Sequence, residues 1–218
     1  MATGLLLAFV DRDAATVEAA AATLAILQPR VAVRVLRGDM VAVALGQELG
    51  EEVGGGSGAS SASATAAAPP SALARHVDSD AFRDVPTFIM YGANTAGLAS
   101  GNLQKAISEA FPEQFADIAQ QMCQAPPHDG FGHGEVFVSH ESRNIRLLAV
   151  SLFPRPSEGP AAVRRGAADA LRTAQALAGP SFRVVSHALG SFTGHPRPQD
   201  FAECLAGAVE DWLSDRDS

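Results

Sequence analysis

A three-layer α/β/α sandwich with a mixed, mainly parallel sheet is predicted by three features of the 218-residue sequence. Two apolar runs near the N-terminus are joined by a stretch of helical periodicity. Two further runs each lead through a glycine-containing loop into an amphipathic stretch. One more pair is separated by a short polar turn. Unbroken apolar strands belong in sheets covered on both faces, and alternating strand and helix signals imply parallel pairing.

The first run, LLLAFV at 5–10, ends in Asp11-Arg12-Asp13 and reads as a strand buried on both sides. Asp13 stands where an N-cap belongs. Val17, Ala20, Ala21, Leu24 and Leu27 form one face of the following helix, which Pro29 closes. VAVRVL at 31–36 is a second β-branched run. Strand, helix and strand at this spacing make a βαβ unit with a right-handed crossover. Residues 54–72 hold only Gly, Ser, Ala, Thr and Pro. With no charge and no large apolar group, they cannot offset their own ordering entropy. A flexible surface insertion at a sheet end is expected there, inside a single domain spanning 1–218.

Residues 85–91, VPTFIMY, form the next strand, and 92–102 a loop of small residues. Leu103, Ile107, Phe111, Phe115, Ile118 and Met122 then recur at helical spacing, with Pro112 placed to kink or divide the helix. Pro126 to Gly130 is a turn cluster. GEVFVSH at 134–140 and IRLLAVSLF at 145–153 form a hairpin. Residues 160–178 are helical, with Val163, Ala167, Leu171, Ala174 and Leu177 inward. Residues 182–187 are the last strand. A second glycine loop follows, and then a closing helix over 199–213 with Phe201, Leu205, Val209 and Trp212 on one stripe.

The 24 acidic and 16 basic residues leave a net charge of −8, and no run of Lys or Arg forms a basic stripe. A nucleic-acid backbone is therefore not an expected partner. The apolar start is too short for a membrane span or a signal peptide, so no membrane association and a cytoplasmic location are expected. Cys123 and Cys204 lie far apart without metal spacing and are expected as reduced, core-facing thiols. No metal and no cofactor is expected. His76, His128, His133, His140, His187 and His195 show no clear ligand spacing, and His128 with His133 beside Asp129 is only a weak zinc pattern.

Chemistry concentrates in two loops. Residues 92–102 and 189–196 each join a buried strand to a helix start. Glycine lets a backbone approach a ligand closely, and a helix N-terminus offers free N–H groups that suit phosphate. Two such loops at strand carboxyl ends would face one crevice, where open α/β sheets bind ligands. Neither loop carries a Walker or a dinucleotide fingerprint, which argues against an NTPase and a dehydrogenase. Gly190-Ser191 lacks the nucleophile-elbow pattern, so Ser191 is discounted as a nucleophile. His195 lies in the second loop, where it either contacts a ligand or is simply solvated.

Val85 to Phe111 resembles the core segment of the macrodomain family: a buried strand ending in Ala93-Asn94, a loop with Gly101, and a helix opening on Leu103 with Ala106-Ile107. Ala188 to Gly194 is similar to that family's second phosphate loop, and Gly38-Asp39-Met40 to its Gly-Asp plus apolar residue. The resemblance spans nearly the whole chain apart from the insertion. It implies binding of ADP-ribose or an ADP-ribosylated target. Asp39, with Met40, would take the adenine amino group, or Asp39 would merely cap the turn. Asn94 would lie by the distal ribose and is the one candidate catalytic residue, or it would satisfy loop backbone. Ser100, Gly101, Asn102 and Leu103, with Gly190, Ser191, Phe192, Thr193 and Gly194, would surround the diphosphate and distal ribose. The family's glycine run is reduced here to Ser100-Gly101-Asn102. Many hydrolytic members carry an Asp where this chain has Gln104, and glutamine cannot act as a general base. The resemblance thus implies binding first. ADP-ribosyl hydrolysis, or a degenerate module serving as an interaction scaffold, are the alternatives.

Overall fold

From β1 (Gly4–Asp11), Leu5, Leu7 and Phe9 project to one side and Ala8 and Val10 to the other, all of them buried. That double burial explains why the run has no polar alternation. The computed structural model describes residues 4–47, 51–53, 84–94, 102–124, 134–153, 159–189 and 198–216. After β1 come α1 (Ala14–Leu24), β2 (Ala32–Arg37), α2 (Met40–Ala44), β3 (Glu51–Glu52) and β4 (Thr87–Asn94). They are followed by α3 (Asn102–Ala110), α4 (Pro112–Gln124), β5 (Val136–Val138) and β6 (Ile145–Phe153). The chain ends with α5 (Pro160–Ala178), β7 (Ser181–Ser186) and α6 (Pro198–Arg216). The expected insertion at 54–72 lies outside the described residues.

Among the described residues the sheet has seven strands in the order β3-β2-β1-β7-β4-β6-β5. The five central strands are parallel, and β3 and β5 pair antiparallel at the two edges. Helices α1, α5 and α6 cover one face, where Phe88, Phe182 and Trp212 pack edge to face at centroid separations of 6.1 and 5.9 Å. Helices α2, α3 and α4 cover the other. The predicted three-layer, mixed and mainly parallel architecture is thus observed.

Several elements form for the reasons the sequence offers. Asp13 caps α1 by accepting from the Thr16 N–H at 2.8 Å. Pro112 divides the long amphipathic stretch into α3 and α4, since it has no N–H for the helix ladder and sits at the first position of the second piece. Phe201, Leu205, Val209 and Trp212 are all buried.

Four expectations need correction. The strand expected to stop at Tyr91 continues through Gly92, Ala93 and Asn94, because β6 pairs with those small residues. The two-residue strand β3 was not anticipated. Leu177, expected inward, is 48% exposed. The bonds from α5 to α6 end at Arg172–Asp215 and Gln175–Trp212, so Leu177 lies past the covering helix. Cys123 is exposed, while Cys204 is buried as expected. Neighbouring Met122 takes the inward position on α4.

Edge protection depends on side chains that composition alone does not flag. On α4, Gln121 Nε2 donates to the Val138 carbonyl at 2.9 Å, and the Asp117 carboxylate accepts from the His140 N–H at 2.8 Å. These bonds cover the outer edge of β5, which would otherwise be a pairing template.

Gly166, in the interior of α5, packs tightly against Val150 of β6. A Cβ there would stand 2.4 Å from Val150 Cγ1 and 2.9 Å from Gly134 Cα. Alanine would raise helix propensity by about 1 kcal/mol. Overpacking of this kind costs about 1–3 kcal/mol or more. Gly166→Ala is therefore expected to lower stability in urea unfolding, and a variant as stable as the parent chain would refute the packing argument.

Candidate ligand crevice

The carboxyl ends of the parallel strands gather the residues of interest. β4 and β7 are direct neighbours, with Met90 opposite Ser186. The chain leaves β4 toward α3 on one face of the sheet and leaves β7 toward α6 on the other. Adjacent parallel strands whose connections depart to opposite faces open a gap between the departing segments. This is the topological switch point at which α/β sheets bind ligands. Both glycine-containing segments start there.

Asp39 follows β2 at the same edge. Its Oδ1 accepts from the Ala42 N–H at 2.9 Å and caps α2, while its Oδ2 pairs with the exposed Arg12 guanidinium. Burial opposes ionisation of this carboxyl, but the Ala42 N–H, Arg12 and the Val41 N–H outweigh it and hold it below the ordinary carboxylate range. Met40 begins α2, and its side chain is buried in the core on that face. Asn94 ends β4, just past a register shift against β6. Asn102 is exposed at the start of α3, and Leu103 beside it is half-buried. Ser100, Gly101, Gly190, Ser191, Phe192, Thr193 and Gly194 lie outside the described residues, as do His76, His128, His133 and His195. The structure thus brings Asp39, Asn94 and the start of α3 to one edge. From β2 to β4 is three strand spacings, about 14 Å.

Three residues at or beside this edge were not singled out as site residues. Asp11 ends β1 and accepts from the Asp13 N–H at 3.0 Å. Burial pushes its carboxyl above the usual value, against the Asp13, Arg12 and Ala188 N–H groups that bond to it. The Ala188 contact ties the β1 turn to the segment leaving β7. The available signal was an aspartate closing a fully apolar run. His187, next after β7, is buried, and among the described residues its Nε2 has no hydrogen-bond partner. Burial pushes its pKa down to about 4, so the imidazole is neutral. Gln104 is buried on α3, and its Nε2 donates to the Gly92 carbonyl at 2.8 Å. It therefore ties α3 to the end of β4. Among the described residues no group of three or more His, Cys, Asp or Glu side chains is placed to hold a metal.

The architecture is that of an α/β module with a topological switch point between β4 and β7 at its strand carboxyl ends. No family model matches the chain, and no curated protein matches its sequence. Its fold is similar to that of a protein of unknown function from Bacteroides thetaiotaomicron (TM-score 0.46, 13% identity, 61% of this chain and 83% of that one). It is also similar to the macrodomain of Mycobacterium tuberculosis DarG (TM-score 0.45, 17% identity, 59% and 83%). A third similar structure is a macrodomain protein from Streptomyces coelicolor (TM-score 0.39, 17% identity, 60% and 79%). Among the described residues no helix is long and apolar enough to cross a membrane.

Proposed function

We propose that the chain binds ADP-ribose or a related nucleotide diphosphate, free or attached to a target, in the crevice between the segments leaving β4 and β7. The observation that carries this reading is the adjacency of those parallel strands, whose following helices α3 and α6 lie on opposite faces of the sheet. The macrodomain-like motifs of the sequence supply the ligand's identity. Asp39 and Asn94 stand three strands apart, a spread suited to an elongated ligand and wider than a lone phosphate needs. In this reading Asp39 keeps its cap to Ala42 and exchanges Arg12 for the adenine amino group. The N–H groups at the start of α3 and in the segment after β7 hold the diphosphate.

Gln104 favours binding over hydrolysis. Its amide has no basic group, and it is engaged with the Gly92 carbonyl. Calorimetric titration with ADP-ribose is expected to show saturable heat. Asp39→Ala should weaken binding roughly tenfold, as expected for loss of one hydrogen bond to a charged group. Absence of heat at millimolar ligand would sink the proposal. Release of ADP-ribose from a modified protein by the purified chain would replace it with the hydrolase reading.

A further inference from the structure

Among the described residues Arg183 is a cation without a counter-charge. It lies on β7 opposite Thr87 of β4, half-buried on the α2 side of the sheet. Its Nε donates to Thr87 Oγ1 at 3.1 Å and its Nη2 to the Ala44 carbonyl at 2.9 Å. Both acceptors are neutral, and among the described residues no carboxylate pairs with it. A second cation, Arg34, faces the same side. Val33 and Val35 of β2 pack into the core on the other face, so Arg34 lies on the α2 side of the sheet. Across β1, Arg34 pairs with Ala8 and Arg183 with Leu6, two residues apart on the strand between them. Burial, and then the field of Arg34, lowers the proton affinity of Arg183. A half-buried guanidinium repelled by a neighbour is costly unless an anion completes the arrangement. Thr87 Oγ accepts from Arg183, which leaves its own proton free to donate.

We propose that Arg183, Arg34 and Thr87 form a binding site for a small anion, a phosphate or carboxylate group, near the amino-terminal ends of the parallel strands and remote from the crevice. Glu52 is its resident competitor. The Glu52 Oε2 accepts from Arg34 Nη2 at 3.2 Å, and an arriving anion displaces it. Three guanidinium N–H groups of Arg183 remain for the ligand, in the planar fork that suits an oxyanion.

The test is titration of the full chain with inorganic phosphate at constant ionic strength, with acetate as the carboxylate arm. The Arg183 Nε–H resonance and thermal unfolding are followed together. A saturable shift of that resonance and a rise in Tm are expected with at least one of the two anions. Arg34→Met should weaken the affinity about tenfold. Glu52→Gln should strengthen it, which a purely structural clamp would not produce. A non-saturating response in the parent chain, or equal affinities in the parent and the Arg34→Met and Glu52→Gln variants, overturns the site. The Glu52 variant keeps the test decisive if substitution of Arg183 prevents folding. The site stands at the opposite end of the strands from the crevice, so failure of ADP-ribose to bind leaves this result unaffected, and the reverse.

Discussion

Lowering the pH from 6.5 to 4 is expected to remove about 3 kcal/mol of stability through His187 alone. The imidazole is buried, and among the described residues its Nε2 has no hydrogen-bond partner to repay the desolvation of a charged ring. Its pKa falls to about 4 in the folded chain from 6.5. Above 6.5 the ring is neutral whether the chain is folded or not, and pH has no effect through it. Between 6.5 and 4 the unfolded chain binds a proton that the folded chain refuses, and each step down favours unfolding. Below 4 the whole difference is lost. At about pH 5 the shortfall should be about 2 kcal/mol. Urea unfolding at about pH 7 and about pH 5 measures it, with His187→Leu as the partner variant. The variant should flatten this part of the pH dependence while costing roughly 1–2 kcal/mol at neutral pH. An unchanged slope in the variant would assign the acid sensitivity elsewhere. His187 follows β7 directly, so if the proposed ADP-ribose site is correct its affinity should weaken in the same window.

The fold was legible where hydrophobic pattern alone decides. LLLAFV and VAVRVL have too few polar positions for half-exposed strands, and Pro112 can only begin a helix or break one. Legibility failed where a distant partner decides. Gly92, Ala93 and Asn94 look like loop, and only pairing with Val150, Ser151 and Phe153 makes them strand. Glu51 and Glu52 have no strand propensity of their own, yet they pair with Arg37 and Leu36. Gln121 and Asp117 read as the polar face of a helix, although they cover a sheet edge. The switch point between β4 and β7 was legible to the same degree. Two glycine segments after two strands were visible in the sequence, but their adjacency required the order β1-β7-β4, which local pattern does not encode. Asp39 shows the ambiguity at one residue. The turn-capping role is observed, and it leaves the second carboxylate oxygen, now on Arg12, as the one open to exchange.

Replacing Gln104 by glutamate should cost about 3 kcal/mol at neutral pH, although the two side chains have nearly the same shape. The Gln104 amide donates to the Gly92 carbonyl at 2.8 Å, from a position 6% exposed. Gln104→Glu sets a carboxylate oxygen against that carbonyl oxygen. An ionised group is repelled there, and a protonated one can donate but must hold its proton far above the usual pKa of about 4.3. The sign follows from the raised folded pKa. The penalty is complete above that value and is relieved as pH falls through it toward the unfolded value, so the variant should recover in mild acid relative to the parent. Gln104→Met separates the two contributions. It leaves the Gly92 carbonyl without this donor at a cost of roughly 1–2 kcal/mol and introduces no new titration. If Gln104→Glu matched the parent at neutral pH, the bond to Gly92 would contribute nothing, and the position would be free to carry an acid. The large penalty expected instead means that an acidic residue here requires a differently closed junction between β4 and α3. The absence of a general base at this position is then a property of how β4 and α3 are joined, and introducing an acid alone should not create one.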